Sequence, residues 1–162
     1  MTTHRPANGQ AQSPGGGIIQ QTVSILVLEG RPRDTQGTRT TRLCVRRQMS
    51  SSTTIAHHVF ELSGMRPYWT VRESTSTSAL REVAGVAGHV DVATISPTSA
   101  EQNDVLLTTL RAIKANPEWD HRNWFDDVLK KLRDKYPEEF SDAAIEPCID
   151  YAVNLLVAAP AN

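Results

Sequence analysis

The segment NPEWDHRNWFDDVLKKL, residues 116–132, sets an aspartate and a histidine side by side where a loop hands over to a helix. Trp124, Phe125, Val128, Leu129 and Leu132 recur at the three- and four-residue steps of a helix that buries one wide stripe. Asp120 then falls at the cap position, where a carboxylate accepts the free N–H groups of the first turn. His121 becomes the first residue of the helix proper. Four unpaired N–H groups and the positive end of the helix dipole converge there, a place suited to a thiolate or to an imidazole held neutral. The neighbouring carboxylate opposes the neutral form. Capping alone would account for Asp120, and the catalytic alternative counts it with His121 as a candidate catalytic residue.

The elements that must position these groups are strands first and helices afterwards. TVSILVL (22–28) is the near-continuous apolar run of a central strand. Past the turn EGRPRDTQGT, a second strand RTTRLCVRR (39–47) puts Leu43 and Val45 on one face. A third, IAHHVFEL (55–62), is ended by SGMRP, and a fourth, YWTVRE, starts at Tyr68. The Ser/Thr-rich STSTSAL (74–80) reads as loop, and GHVDVATI (88–95) as a fifth strand with Val90 and Val92 alternating against His89 and Asp91. The period then changes to 3.6. Ser99 and Gln102 fit a capping box for a helix carrying Leu106, Leu107, Leu110 and Ile113 and ending near Asn116 and Pro117. The helix at His121 pairs Asp126 with Lys130 and Asp127 with Lys131 on its outer face, acid first. A last helix, capped by Ser141, carries Ile145, Ile149, Ala152 and Leu156, with Pro147 marking a kink or the true start. The expected class is α+β: an antiparallel sheet of about five strands followed by three helices packed on it. Residues 1–20, rich in Gly, Pro, Gln, Ser and Thr, read as a disordered tail, and 21–162 as one domain.

Composition sets the outer bounds. A chain of 162 residues with 39% hydrophobic content can bury one core. The formal net charge of −1 gives no global attraction to nucleic acid or anionic membrane, although residues 1–100 carry ten Arg against six acids and residues 101–162 seven Lys plus Arg against twelve. Cys44 and Cys148 are too few for a disulfide framework, which favours a reducing compartment. The absence of a secretory-type apolar core near Met1, and of any run of about 20 apolar residues, points to a cytoplasmic protein without a membrane partner. RPRDTQGTRTTRLCVRR holds six Arg and one Asp, a reason to weigh nucleic acid, but strand alternation spreads the Arg and no aromatic residues are interleaved for stacking. No HxxxH, CxxC or HExxH spacing occurs, so neither a metal nor another cofactor is expected; oligomeric state stays open.

From HHVFELSGMRPYWTVRE through GHVDVATI to EWDHRNWFDDVLKKL and AAIEPCIDYAV, the chain resembles a group of small fungal proteins whose core runs strand, aromatic, WNCxxWV, helix. Those proteins in turn resemble permuted papain-like cysteine hydrolases, the group that includes lecithin-retinol-acyltransferase-like enzymes. The resemblance covers roughly residues 22–155. It places Trp119 at the leading Trp, Asp120 at the Asn, His121 at the nucleophilic Cys and Trp124 at the second Trp. The sulfur is missing. Cys44 lies inside a strand and Cys148 late in the last helix, so the resemblance implies a hydrolase scaffold that has lost its covalent thiolate chemistry.

In permuted papain-like folds the partner histidine sits on a strand preceding the nucleophile, which singles out His57, His58 and His89. Alternation puts His58 with Ala56, Phe60 and Leu62 on the more apolar face and His57 with Ile55, Val59 and Glu61 on the other. His58 is therefore the expected partner of His121, ahead of His89. Two imidazoles across a pocket walled by Tyr68, Trp69, Trp119 and Trp124 would serve non-covalent acid–base catalysis on a small metabolite, of isomerase, cyclase or dehydratase type. The alternatives are a non-catalytic binding or scaffold module, in which the site has decayed, and nucleic-acid binding through the Arg-rich hairpin.

Overall fold

Strand β1 (Ile19–Leu28) is buried at every position from Gln21 to Leu28, which only a central strand covered on both faces can be. The structure, a computed structural model, describes residues 17, 19–50, 52–78, 85–118 and 121–161, without the side chains of residues 121 and 122. β2 (Thr40–Met49), β3 (Ile55–Ser63) and β4 (Thr70–Ser76) follow β1 as an antiparallel meander, and β5 (Val86–Ile95) returns to pair with the other edge of β1. The order is β4-β3-β2-β1-β5. Register sets Val23 beside Val45, Ile25 beside Leu43 and Leu43 beside Phe60. The period of two therefore sends these residues, with Val27 and Leu62, to one face, and Leu26, Leu28, Cys44 and Val59 to the other.

All three helices supply the first face. After a single 3₁₀ turn (Ala100–Gln102) come α1 (Val105–Arg111), α2 (His121–Lys135) and α3 (Asp142–Val157). Their apolar stripes, led by Leu106, Leu107, Leu110, Trp124, Val128, Leu132 and Ile145, join the strand residues in one core. The class is α+β, a five-stranded antiparallel sheet followed by three helices.

Several boundaries differ from the sequence reading, each for a local reason. α1 stops at Arg111 instead of near Asn116, yet Ile113 is buried all the same, reaching the core from the irregular chain just past the helix, where its N–H still donates to the Leu110 carbonyl at 3.2 Å. Ser99 makes no side-chain cap; the Gln102 side-chain oxygen instead accepts from the Thr98 N–H at 3.1 Å. Ser141 does stand at the N-cap of α3, but its backbone carbonyl takes the Ala144 N–H, and its hydroxyl makes no cap bond. Pro147 lies inside α3, so it is not the start of that helix. Ser74, Thr75 and Ser76, read as loop, belong to β4 because they pair with Val59, His58 and His57. β1 begins two residues inside the expected tail, where the Ile19 N–H donates to the Asn103 side-chain oxygen at 2.9 Å; the rest of that tail, Gly17 apart, lies outside the described residues. On β5 a bulge interrupts simple alternation: Ala93 pairs with Val23 and Asp91 with Ser24, leaving Val92 extra. Val90 and Val92 both reach the helical core, while Asp91 turns to the opposite face and accepts from the Ser24 hydroxyl at 2.6 Å.

Leu132 is wholly buried where α2 meets this core. Leu132→Ala should lower the unfolding free energy in urea by about 2–5 kcal/mol, whereas Val157→Ser, on the exposed side of α3, should change it by less than about 0.5 kcal/mol.

Candidate functional site

β4 is an edge strand, and its residues on the helical face meet the end of α1. Glu73 is the register partner of Phe60, so its carboxylate points to that face; His58, two residues earlier on β3, points the same way. Arg111 closes the last turn of α1. Its Nε donates to Glu73 Oε2 and its Nη2 to Glu73 Oε1, both at 2.7 Å, the two-pronged geometry that guanidinium and carboxylate share. His58 Nδ1 lies 2.8 Å from the same Oε1, with the Thr75 hydroxyl at 3.4 Å. An ionised carboxylate can only accept, so Nδ1 carries the hydrogen of this contact and the ring is oriented with Nε2 pointing away from Glu73. The Arg111 hydrogen bonds, seconded by that of His58 and opposed by partial burial, hold the Glu73 carboxyl down to about 2. Glu73 is thus a fixed anion at neutral pH, and a poor base.

Beside this cluster is a cavity of about 360 Å³, bounded by β4 and the irregular chain after α1. Phe60, Trp69, Val71, Ile113 and Ala115 give its apolar walls; Glu73, Arg111, Lys114 and Thr70 give its polar ones. The volume is near the lower end of the roughly 300–1,000 Å³ typical of small-molecule sites. Two local devices hold the walls in place. Gly64 at φ +105° lets the β3–β4 turn close, and a Cβ there would sit 2.8 Å from the Tyr68 carbonyl oxygen. Arg66, next in that turn, pairs with the Glu118 carboxylate at 2.8 Å and so ties the hairpin tip to the chain beyond Ala115.

The expected site residues are divided by this geometry. His58 is on the helical face as expected, and among the described residues its side chain meets Glu73 and Thr75. His121 opens α2, and its side chain, like the whole of Trp119 and Asp120, lies outside the described residues. His89 is exposed on the opposite face, across from Leu26, so it cannot face the helices. His57, on that same face, is buried, and burial pushes its imidazole below its ordinary value. Of the four aromatic residues expected to wall a pocket, Trp69 does so. Tyr68 is 79% exposed at the hairpin tip, and Trp124 is a core residue edge-on to Phe125, because the wide apolar stripe of α2 turns it inward.

Glu73, Arg111 and Lys114 were not legible as a site in the sequence, although one signal existed. Trp69, Val71 and Glu73 alternate on one face, and an acid continuing an apolar strand face implies a cation waiting for it. The Arg-rich hairpin is largely spent on internal pairs: Arg39 with Asp34, Arg42 with Glu61, Arg46 with Asp91 and Arg47 with Asp104, at 2.6–3.2 Å. Both cysteines are free and buried; desolvation pushes the Cys44 thiol up to about 12 and raises Cys148 as well. Among the described residues no group of three or more His, Cys, Asp or Glu could hold a metal ion, and no helix is long and apolar enough to cross a membrane.

Comparison with known proteins gives no match to this chain, whether to a family, to a curated protein or to a solved structure.

The low Glu73 value carries a pH signature. Its folded value of about 2 lies below the ordinary 4.5, so the pair stabilises the fold above pH 4.5 and loses that contribution as pH falls from 4.5 toward 2. Asp34, held near 2 by Arg39, titrates in the same window. The difference in urea stability between wild type and Glu73→Gln should therefore shrink across that interval while the Asp34 contribution cancels. For the thiols, iodoacetamide at pH 8 should modify neither Cys44 nor Cys148 in the native protein within the time that labels both in urea, as read by intact mass.

Proposed function

We propose that this chain binds a small molecule in the cavity between β4 and the segment after α1, and that it is a binding module in which the cysteine-hydrolase chemistry implied by its resemblance has been lost. The observation that carries this reading is the pre-set polar edge of an otherwise apolar cavity: Glu73 is clamped by two Arg111 hydrogen bonds and by His58 before any ligand arrives. Groups fixed in this way lose little side-chain entropy on binding. Two buried thiols with raised values cannot supply a thiolate nucleophile, and the strands-first order with helices on one face fits a permuted papain-like scaffold. Two free buried cysteines also suit a reducing, cytoplasmic setting. Four of six hairpin arginines already paired with acids make nucleic acid a poor candidate partner.

A second reading, acid–base catalysis on a small metabolite, is favoured by one observation. The carboxylate orients the His58 ring by Nδ1, as a general base requires, and leaves Nε2 free to take a proton. His121, at the start of α2, is the natural second imidazole in this reading.

One experiment separates the two. A metabolite library is screened by thermal shift against wild type and against Ala115→Trp, which fills the cavity, and the hits are then incubated in D₂O and analysed by mass spectrometry. The binding reading expects hits that vanish in Ala115→Trp and acquire no deuterium at carbon. Deuterium uptake lost in His58→Asn at unchanged melting temperature would establish catalysis instead. Hits unaffected by Ala115→Trp would overturn both.

A further inference from the structure

The charges around the cavity do not balance, and the imbalance indicates what kind of molecule fits. Arg111 commits Nε and Nη2 to the two oxygens of Glu73, so that pair is neutral as a unit. Lys114 also lines the cavity, and among the described residues no carboxylate lies within ion-pair distance of it. The remaining lining is apolar except for Thr70. We infer that the cavity takes a small amphipathic carboxylate, its anionic end at the Lys114 ammonium and the unspent Nη1 of Arg111, its apolar or aromatic body against Phe60, Trp69, Val71 and Ile113. This rests on the cavity being the ligand site.

Other ligand charges fit worse. A cation would have to share Glu73 with Arg111 and His58, which already make three hydrogen bonds to its two oxygens, and would sit beside the guanidinium and Lys114 charges. A neutral molecule of the same shape would fill the apolar walls but gain nothing from the exposed Lys114 ammonium. A wholly polar anion would leave the aromatic and aliphatic walls in contact with water, forgoing the apolar area that supplies most of the affinity of a site this small. The field of the whole protein does not produce the preference. Net charge is −1, and residues 101–162, which include Lys114, hold seven Lys plus Arg against twelve acids, so an anion gains nothing until it reaches the cavity itself.

Glu73 then has a definite part in setting affinity. Its charge fixes Arg111 in place but also faces the bound carboxylate, so it limits how tightly an anion can be held. Removing that charge should strengthen anion binding, which a purely structural role for Glu73 would not do.

The test uses the full chain and three probes of matched shape: 3-phenylpropionate, its uncharged primary amide and 3-phenylpropylammonium. Each is titrated while amide and indole N–H resonances of residues 69–71 and 113–115 are followed by NMR. The carboxylate is expected to shift these resonances saturably and to bind about tenfold or more tightly than the amide, with the ammonium weakest. Lys114→Gln should bring the carboxylate to the level of the amide and leave the amide unchanged; Glu73→Gln should tighten the carboxylate alone. Equal binding of carboxylate and amide in wild type would overturn the charge preference and leave the cavity as a ligand site. No saturable shift with any probe would count against both. A Glu73→Gln protein that binds the carboxylate more weakly would overturn the assigned part of Glu73.

Discussion

The carboxylate of Glu73 is where the free edge of the sheet is joined to the helical layer. β4 has a neighbouring strand on one side only, and without a tie its outer half would be free to fray. Arg111 and His58 supply that tie from two directions, one from the end of α1 and one from the adjacent strand. The cavity lies beside this tie, lined on one side by β4 and on the other by Ile113, Lys114 and Ala115 of the chain after α1. One charged cluster thus joins an edge strand to the last turn of a helix and lines a site.

How much of this the sequence revealed depended on the kind of signal. The class and the order of elements followed from pattern, since TVSILVL is a short, β-branched apolar run ended by a Gly/Pro turn, as suits a buried strand, and Trp124 to Leu132 repeats at helical steps with one buried stripe. Boundaries were less visible. Ile113 looked helical because it is spaced from Leu110 like a helical core residue, but burial and helical conformation are separate properties, and the irregular chain just past a helix end can deliver a side chain to the same core. Ser74 to Ser76 looked like loop because their intrinsic preference is weak; pairing with β3 outweighs it.

The site was the least legible part, for a physical reason. A motif read along the chain finds groups that are close in sequence, whereas Glu73 and Arg111 are 38 residues apart and His58 is 15 residues before Glu73. Nothing in a single sequence sets the register that makes them neighbours. The reading of His58 toward the helices succeeded because alternation along one strand is a local rule. The reading of Tyr68 and Trp124 as pocket walls did not, because an aromatic residue carries no label saying whether it meets solvent, core or cavity.

The position of β1 at the centre of the sheet while being first of the strands has a consequence during synthesis. As the chain leaves the ribosome, β1 to β4 can zip up as successive hairpins of short loop length, each closing soon after it is made. The other edge of β1, the most apolar strand in the molecule, stays unpaired until Val86–Ile95 has been translated, and α3, which packs on β5 and β1, comes later still. A nascent chain caught in that interval offers a bare hydrophobic template to any extended neighbour. Slowing translation before β5 has emerged should therefore favour misassociation.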